Sequence, residues 1–309
     1  MAIPELETRP FRLPVPATTG LDRAFVRAAG HATRDLPAAV HDALVDFADE
    51  PGPAGALLLR GMPVGTVPAT PPRPAAPSGK DQESEFALLT VARRLGEPIG
   101  YAQEHGGDLV QNIVPARDDD GRQLSTSSSV TLEWHTETAF HPHKPRYLLL
   151  LCLRGDPNAR TMLCSMANVL PRLDDATIAV LRERRFRTRP DASFLDDGRR
   201  GELGPPMAVI AGTDDDPTFT FDEDLMVGTD PEAAAALAQL TRAVHEAATA
   251  VVLEAGDLLV VDNHRVVHGR SPFNARFDGS DRWLQRAFVV AELDSSATER
   301  DGRIVTTRF

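Results

Sequence analysis

The chain has 309 residues, of which 42% are hydrophobic. Its formal net charge of −12 argues against nucleic acid and anionic membranes as partners, because binding to phosphate groups requires a basic face. The sequence has no apolar run of about 18 residues, so we expect no membrane-spanning helix.

Two features of the sequence favour a cytoplasmic protein. The opening stretch "MAIPELETRPFRLPVP" holds acids and prolines where a signal peptide would have an apolar run. The two cysteines, Cys152 and Cys164, stand in apolar surroundings, which suits reduced thiols. A disulfide between them is the less favoured alternative.

A proline-rich loop at residues 66–82 divides the first half of the chain. Before it, "GALLLRGMPVG" predicts a buried strand that ends at Gly61. After it, "ESEFALLTVARRLG" predicts an amphipathic helix, with acids at its start and Gly96 after its end. The pieces on either side are too small for separate cores, so we expect one domain over residues 1–309.

The second half alternates predicted strands and helices. "LEWHTETAF" and "RYLLLLCLRG" predict neighbouring strands of a buried sheet, and "TMLCSMANVL" predicts a further short strand. "PRLDDATIAVLRERRF" and "DPEAAAALAQLTRAVHEAATAVVL" predict helices, and "GDLLVVDNHRVVHG" and "RWLQRAFVVAEL" predict the last strands. Many strands with a few flanking helices indicate a β-sandwich or jelly-roll core.

A candidate metal site begins with the pattern H-x-E. His135 and Glu137 are two residues apart on a predicted strand, so both side chains are expected on one face. The pattern is common by chance, but a second histidine, His264 or His268, lies on a later predicted strand. Two histidines and one carboxylate form the facial triad of non-haem Fe(II) oxygenases. Arg282, fourteen residues after His268, could bind the carboxylate of a 2-oxoglutarate cosubstrate.

This ordered set resembles the clavaminate synthase-like branch of the Fe(II)/2-oxoglutarate oxygenases, which includes asparagine, arginine and lysine hydroxylases that act on free amino acids. The resemblance covers most of the chain. It runs from "LLLRGMPVG" through "GEPIGYAQEHGGDLVQNIVP", "LEWHTETAFHPHKPRYLLLLCLRGD" and "FTFDEDLM" to "VVDNHRVVHGRSPF" and Arg282. It implies a double-stranded β-helix (jelly roll) fold, mainly β with flanking helices.

The resemblance also implies roles for single residues. His135, Glu137 and His268 match the iron ligands, and Arg282 and Thr161 match the residues that hold 2-oxoglutarate. Looser matches imply substrate-binding roles for four polar residues: Glu104 for the ammonium group, Ser125 for the backbone of the substrate, and Asp222 with its neighbour Asp224 for the side chain.

Other residues of these motifs are given more ordinary roles. The "HGR" pattern favours His268 over His264 as the metal ligand. His141 and His143 lie in a turn with two prolines that is expected to shape the mouth of the pocket. For Arg286, four residues after Arg282, a secondary role at the cosubstrate and a surface or core-edge ion pair are equally favoured.

The function that follows is hydroxylation of a free L-amino acid at its β or γ carbon. It would depend on Fe(II), 2-oxoglutarate and O2 and release succinate and CO2. Two acids near the substrate side chain favour a basic or guanidino/ureido amino acid, because an unpaired buried acid pair would be costly. An asparagine-type amide substrate, an oxidase or desaturase reaction, and a non-catalytic metal-binding sensor remain alternatives. Residues 185–206, with a Gly- and Asp-rich part at 191–206, are the candidate lid.

Overall fold

Two β-sheets that pack against each other form the centre of the protein. The computed structural model describes residues 2–17, 20–75, 77–195 and 201–309. In chain order the strands are β1 (Glu5–Glu7), β2 (Ala56–Arg60), β3 (Glu97–Tyr101), β4 (Gln111–Ile113), β5 (Leu132–His135), β6 (Tyr147–Arg154), β7 (Arg160–Ser165), β8 (Phe186–Thr188), β9 (Ile210–Gly212), β10 (Pro217–Phe219), β11 (Met226–Gly228), β12 (Thr249–Val252), β13 (Leu258–Asp262), β14 (Val266–Arg270), β15 (Trp283–Val290), β16 (Arg300–Asp301) and β17 (Ile304–Val305). The helices are α1 (Arg23–Ala32), α2 (Ala38–Asp49), α3 (Glu83–Leu95), α4 (Met166–Val169), α5 (Asp175–Leu181) and α6 (Pro231–Ala247).

The larger sheet has nine strands within the described residues, in the order β1-β2-β13-β6-β15-β3-β17-β16, and β4 also pairs with β15. Its pairs are antiparallel except β1 with β2 and β3 with β17. The smaller sheet has the order β12-β7-β14-β5 and is antiparallel throughout. Two short pairs, β9 with β10 and β8 with β11, lie outside both sheets.

Strand β6 shows why its sequence reads as one apolar run. Leu149 and Leu151 face the helices α1 to α3, whereas Leu148 and Leu150 face the smaller sheet. Alternate residues of a strand point to opposite faces, so a strand covered on both faces needs apolar residues at every position. The larger sheet is therefore the middle layer of the molecule.

Helices cover the outer faces of both sheets. On the larger sheet, Phe25 of α1 and Phe86 of α3 meet edge to face, with ring centroids 5.2 Å apart. On the smaller sheet, α6 buries Leu240 and Val244 in a cluster with Trp134 and other apolar residues. These layers leave the space between the two sheets as the place where polar side chains can converge.

The predicted fold class, mainly β with flanking helices around a jelly-roll core, is confirmed. The predicted strands in "GALLLRGMPVG", "RYLLLLCLRG" and "RWLQRAFVVAEL" are β2, β6 and β15. The predicted helix after the proline-rich loop is α3, and Gly96 follows it as expected. However, α3 is buried on nearly all sides instead of being amphipathic, because α1 and α2 cover the face that was expected to meet water.

Four predictions of local structure are wrong. Strands β5 and β6 are not neighbours but belong to different sheets, and "GDLLVVDNHRVVHG" is two strands, β13 and β14, one in each sheet. The helix α6 ends at Ala247, and the β-branched residues that follow form β12. "TMLCSMANVL" is β7 followed by the short helix α4. Sequence periodicity reports local burial, whereas strand partners are chosen across the whole core.

Within the described part of the chain, residues 66–82 form neither helix nor strand. Arg154 on β6 donates hydrogen bonds to this loop at Thr70 and at the Pro68 carbonyl, 2.9 Å away. No helix among the described residues is both long and apolar enough to span a bilayer. Cys152 and Cys164 are buried free thiols, so the disulfide alternative is wrong.

Candidate functional site

A cavity of about 310 Å³ lies between the two sheets. The larger sheet contributes an apolar wall from β4, β6 and β15, and the smaller sheet contributes polar residues from β5, β7 and β14. The lining includes every residue that the sequence predicts for the site: Glu104, Ser125, His135, Glu137, Thr161, Asp222, Asp224, His268 and Arg282. These residues are spread over a stretch of almost 180 positions in the sequence, and the tertiary structure brings them to one cavity.

His135 and His268 face each other on paired strands. They are register partners on β5 and β14, and their ring centroids are 4.3 Å apart. Between His268 and Arg270 the register shifts, because two residues of β5, Glu133 and Trp134, lie opposite the single residue Gly269 of β14. This bulge lets both Leu132 and His135 line the cavity, although residues three apart on a regular strand face opposite sides.

Gly269 allows these two strands to approach. A Cβ atom at this position would lie only 2.6 Å from the carbonyl oxygen of Leu132. No side chain fits there, so glycine beside His268 is required for the close contact of β14 with β5.

Glu137 reaches the histidines from a turn and not, as predicted, from the strand. Strand β5 ends at His135, and Thr138 has a φ of +50°. Asn263 replaces the missing strand partner: its Oδ1 accepts from the Glu137 N–H at 2.7 Å, and its Nδ2 donates to the Glu137 carbonyl at 3.1 Å. Asn263 is fully buried, so its amide fixes the backbone of Glu137 without competition from water.

His135, Glu137 and His268 form a possible metal site. One ligand atom of each lies within 4.8 Å of the others, and the His268 Nε2 to Glu137 Oε2 distance is 3.4 Å. His135 Nδ1 lies 2.8 Å from the Glu133 carbonyl oxygen; donation there leaves Nε2 as the free lone pair. Burial raises the pKa of Glu137, but Arg286, His268 and His135 outweigh burial and hold that pKa at about 2. An ionised carboxylate and two imidazoles suit Fe(II).

Arg282 is a buried cation that lines the cavity. Its Nη2 lies 3.4 Å from the Thr161 Oγ1, and it pairs with no carboxylate among the described residues. Arg270 lies nearby and donates to the Ser125, Ser127 and Val130 carbonyls. Burial, and then the charge of Arg282, lowers the pKa of Arg270 to about 9. Two buried guanidiniums without an acid create a site for an anion. We call Arg282, Thr161 and Arg270 the cosubstrate clasp, after the role that the sequence predicts for the first two.

Arg286 forms a buried ion pair with two carboxylates. Its Nη1 lies 3.2 Å from the Glu137 Oε1, and its Nη2 pairs with the Glu104 Oε1. The guanidinium also binds Gln111, whose Oε1 accepts from Nε at 2.9 Å. The Glu104 Oε2 is buried and has no hydrogen-bond partner within the described residues. This ion pair is buried in the cavity and is therefore not the surface or core-edge pair considered from the sequence, and a role of Arg286 at the cosubstrate stays a prediction.

Four acids line one side of the cavity, and we call them the acidic wall: Glu133, Asp191, Asp222 and Asp224. None of them forms an ion pair with a lysine or arginine among the described residues. Burial, and then the charge of Asp222, raises the pKa of Asp191 to about 7. Burial also raises the pKa of Asp222 to about 6, with a smaller contribution from the charge of Asp224. The Asp222 Oδ1 accepts from the N–H groups of Asp224 and Leu225, at 3.1 and 2.7 Å.

The prediction that Asp222 and Asp224 share one face of a strand is wrong. Asp222 lies at the start of a turn that follows β10, and Asp224 lies within that turn. Asp224 is exposed at the edge of the cavity. Ser125 lines the cavity and is half-buried, in a loop held by Arg270. These positions keep all three residues within reach of a ligand.

The candidate lid falls partly on residues 196–200, which lie outside the described residues. Its described part contains β8 and a single 3-10 turn, Ala192–Phe194. Asp191 and Ser193 line the cavity on either side of Ala192. Sequence reasoning missed two acids of the cavity, Glu133 and Asp191, and for Asp191 the only signal was its place in a long loop.

The other histidines of the motifs lie apart from the triad. His264 Nδ1 lies 3.3 Å from Arg146 Nη1, in the turn between β13 and β14. His141 and His143 are not among the described residues that line the cavity, so they do not form its mouth. His141 is instead buried among aromatic rings. Asn263, Gln111 and Arg270 were also missed, because single amides and arginines carry no pattern of their own.

Comparison with known proteins identifies the chain. Residues 54–288 match the family model described as taurine catabolism dioxygenase TauD, TfdA family. The chain belongs to the TauD/TfdA dioxygenase family. Like others of this TauD/TfdA family, it uses iron and 2-oxoglutarate, so the sequence predictions of an enzyme and of these cofactors are confirmed over the non-catalytic sensor.

Relatives in the TauD/TfdA family differ in what they act on. The chain is 39% identical to an L-lysine 3-hydroxylase of Catenulispora acidiphila, over 92% of this chain and 81% of the relative. It resembles asparagine oxygenase in complex with Fe(II), 2S,3S-3-hydroxyasparagine and succinate, with a TM-score of 0.87, 35% identity and coverage of 94% and 92%. OrfP in complex with Fe, succinate and (3S)-hydroxy-L-Arg gives a TM-score of 0.84, 31% identity and coverage of 92% and 91%. The resemblance stated from the sequence is confirmed, and similarity alone does not select one amino acid.

Proposed function

We propose that this chain hydroxylates a free L-amino acid with a cationic side chain, of the lysine or arginine (guanidino) type, at the β or γ carbon; a neutral ureido amino acid of the citrulline type is the second candidate. The observation that carries the choice of substrate is the acidic wall. Carboxylates that share a partly buried cavity without a cation repel one another, and a bound cationic side chain would relieve that repulsion.

In this proposal His135, Glu137 and His268 hold Fe(II). The ligand set fits, because the three donor atoms converge and Glu137 is ionised. When bound, iron supplies the oxidising chemistry that splits O2, with one oxygen atom passing to the amino acid and the other to the succinate made from 2-oxoglutarate. The contribution of the chain is to hold the reactants, aim them and keep water away.

The cosubstrate clasp holds the far carboxylate of 2-oxoglutarate. Arg282 offers a planar pair of N–H donors, and the Thr161 hydroxyl lies beside it at 3.4 Å. Arg270 adds positive potential and fixes the loop that carries Ser125. A carboxylate bound here would offset part of the charge of the two buried guanidiniums, which supports this assignment.

The pair of Arg286 and Glu104 suits the zwitterionic end of an amino acid. An α-carboxylate can bind to Arg286 while the α-ammonium binds to Glu104, whose Oε2 has no partner within the described residues. Arg286 then binds the substrate carboxylate in place of Glu104, and Glu104 binds the substrate ammonium in place of Arg286. Each side chain thus keeps a partner of opposite charge. Ser125, on the cavity wall, is placed to contact the same end of the substrate.

This docking predicts which carbons face the metal site. Arg286 also contacts Glu137, at 3.2 Å, so a carboxylate bound to Arg286 lies beside the metal ligands. The carbons nearest to the α-carbon are then close to the site of oxidation, and the rest of the side chain extends to the acidic wall. The apolar wall, with Leu148, Leu150 and Leu284, contacts the methylene groups between the two ends.

The test is an anaerobic assembly of protein, Fe(II) and 2-oxoglutarate, followed by air and a panel of L-amino acids. We expect lysine, arginine and their homologues to stimulate succinate formation, with gain of one oxygen atom in the amino acid. Their kcat/KM should exceed that of asparagine by about tenfold or more, since a site built for a buried charge rejects a neutral group.

Two other outcomes would contradict this proposal. A preference for asparagine would mean that the acidic wall binds an amide, and loss of two hydrogen atoms would identify a desaturase. Glu137→Ala serves as the inactive control, because it removes the only carboxylate of the triad.

A further inference from the structure

An aromatic cluster adjoins the candidate lid, away from the metal ligands. Phe194, at the end of the 3-10 turn of the lid, is 3% exposed. Its ring lies 4.9 Å from that of Phe140 and 5.4 Å from that of Tyr101, edge to face in both cases. His141 and Phe309 complete the set, with centroids 6.1 and 6.3 Å from Phe194. We call Tyr101, Phe140, His141 and Phe309 the aromatic cage.

The cage is fastened to the metal site through the turn after Glu137. The Tyr101 hydroxyl donates to the His143 carbonyl at 2.7 Å and lies 3.4 Å from the Thr138 Oγ1. His141 Nδ1 accepts from the His143 N–H at 2.9 Å, which fixes the imidazole ring. The "FHPH" segment, which lines no part of the cavity, therefore forms one wall of the cage.

The last residues of the chain close the cage from the outside. Val305 of β17 pairs with Tyr101, and Gln103 donates to the Thr307 carbonyl. Glu299 accepts from the Thr307 hydroxyl and lies 3.1 Å from the His143 Nε2. These contacts of residues 299–307 hold the Phe309 ring 4.9 Å from the Phe140 ring, although Phe309 remains 46% exposed.

The lid turn connects the cage to the acidic wall. The Phe194 N–H donates to the Asp191 carbonyl at 3.0 Å, so the two residues belong to one hydrogen-bonded turn. While Phe194 is buried in the cage, Asp191 and Ser193 line the cavity. The described residues before and after the lid turn are joined by a hydrogen bond, which the Arg189 guanidinium donates to the Gly201 carbonyl at 2.8 Å. Within residues 191–195, the described part of this loop, Phe194 is the one buried residue and thus the apolar anchor of the turn.

We infer that Phe194 is a positioning residue for the substrate: burial of its ring in the aromatic cage holds Asp191 and Ser193 against the amino acid side chain. The inference rests on the proposed function for the identity of the substrate. It adds that substrate affinity, and the coupling of 2-oxoglutarate consumption to hydroxylation, depend on a contact outside the cavity. Loss of the anchor lets the turn leave the cavity and admits water beside the metal ligands.

The test compares Phe194→Ala, Phe194→Leu and Phe309→Ala with the unchanged protein. In Phe194→Ala we expect the KM for the cationic amino acid to rise about tenfold and the ratio of product to succinate to fall. The dissociation constant of 2-oxoglutarate, read from the absorption band of the anaerobic Fe(II) complex, should change less than about twofold, because the cosubstrate clasp is untouched. Phe194→Leu should restore most of the affinity, and Phe309→Ala should shift KM in the same direction by about two- to threefold.

A second measurement needs no substrate. Amide hydrogen exchange of a peptide that contains residues 191–195 should become about tenfold faster in Phe194→Ala, while exchange in β6 and β15 stays the same. Phe11→Ala is the matched control: Phe11 is a half-buried phenylalanine that packs on the helix side of the larger sheet, so it should leave both readouts unchanged.

The outcomes separate this inference from the proposed function. Unchanged exchange in residues 191–195 of a folded Phe194→Ala protein would overturn it, and so would an equal loss of 2-oxoglutarate affinity. Should Phe194→Ala not fold, the exposed Phe309→Ala variant decides the question by the same two readouts. If no amino acid is oxidised by the unchanged protein, the proposed function fails, and the exchange measurement alone decides the role of Phe194.

Discussion

Paired strands carry most of the metal and cosubstrate groups, whereas turns carry most of the acidic wall. His135, Thr161 and His268 project from three adjacent strands of the smaller sheet, so the backbone hydrogen bonds between these strands fix their positions. Asp191, Asp222 and Asp224 stand on turns at the edge of the same cavity. In the proposed function, groups needed for the shared chemistry thus sit on the rigid scaffold, and the groups proposed to select the substrate sit where the chain can vary.

Glu137 is the exception that shows what the scaffold must supply. It belongs to the metal triad but lies in a turn, and the buried amide of Asn263 binds both of its backbone groups. A side chain thus provides the rigidity that strand pairing gives to the two histidines.

The largest effect is expected from the triad itself. Glu137→Ala should lower kcat/KM by about a thousandfold or more, because a two-histidine site holds iron weakly and without charge balance. Succinate formation and binding of Fe(II) or Mn(II) would both report this loss. Glu137→Asp, which keeps the carboxylate, should retain part of the metal affinity; equal activity of Glu137→Ala and the unchanged protein would refute the site.

The cosubstrate clasp should respond next. Arg282→Met is expected to raise the KM for 2-oxoglutarate about a hundredfold, since charge-assisted hydrogen bonds to a carboxylate are lost from a buried position. Arg282→Lys keeps the positive charge but lacks the planar pair of N–H donors. Its KM for 2-oxoglutarate should therefore lie between those of Arg282→Met and the unchanged protein. A change in amino acid KM with unaltered 2-oxoglutarate KM would assign Arg282 to the other substrate.

The acidic wall should affect only the amino acid. Asp222→Asn is expected to lower kcat/KM for the cationic substrate about thirtyfold and to leave 2-oxoglutarate binding within about twofold. The asparagine Oδ1 can still accept from the Leu225 N–H, so the turn should keep its shape. Asp224→Asn is the matched comparison, with a smaller effect because Asp224 is exposed. Equal losses for lysine-like and neutral amino acids would contradict a role in charge recognition.

Asn263 is the residue through which a turn gains the rigidity of the paired strands, because its side chain fixes the backbone of Glu137. Asn263→Ala should weaken metal binding about tenfold, which is typical for partners that orient a ligand. It should also lower stability by about 1–3 kcal/mol, because the Glu137 backbone groups lose their buried partner. Metal titration and thermal unfolding measure the two effects separately. Unchanged metal affinity in the folded variant would show that the turn holds Glu137 without the amide.

The smallest expected effect is on pH dependence. The pKa of Asp191 is raised to about 7 and that of Asp222 to about 6, so both carboxylates take up protons as the pH falls through this range. Only their ionised forms attract a cation, and therefore the KM for the amino acid should rise by up to about tenfold per pH unit below about 6. His135, Glu104 and Glu137 also face Asp191, so Asp191→Asn is the required comparison. A flat KM in the unchanged protein would contradict the assignment.

The sequence by itself determined the ligand types, the family and the fold class. The H-x-E pair, a later histidine and Arg282 form an ordered pattern, and residue types that bind iron and carboxylates leave a chemical signature without any structure. Continuous apolar runs also identified β2, β6 and β15, since burial on both faces demands them.

Only the tertiary structure decided which strands pair and which turns meet. The separation of β13 from β14 into two sheets, the bulge in β5 and the turn position of Glu137 depend on packing across the core, which no local period encodes. Asp191 and Asn263 reach the site for the same reason. Their residue types are ordinary, and only the burial of Phe194 beside one and the backbone of Glu137 beside the other give them a place in the chemistry.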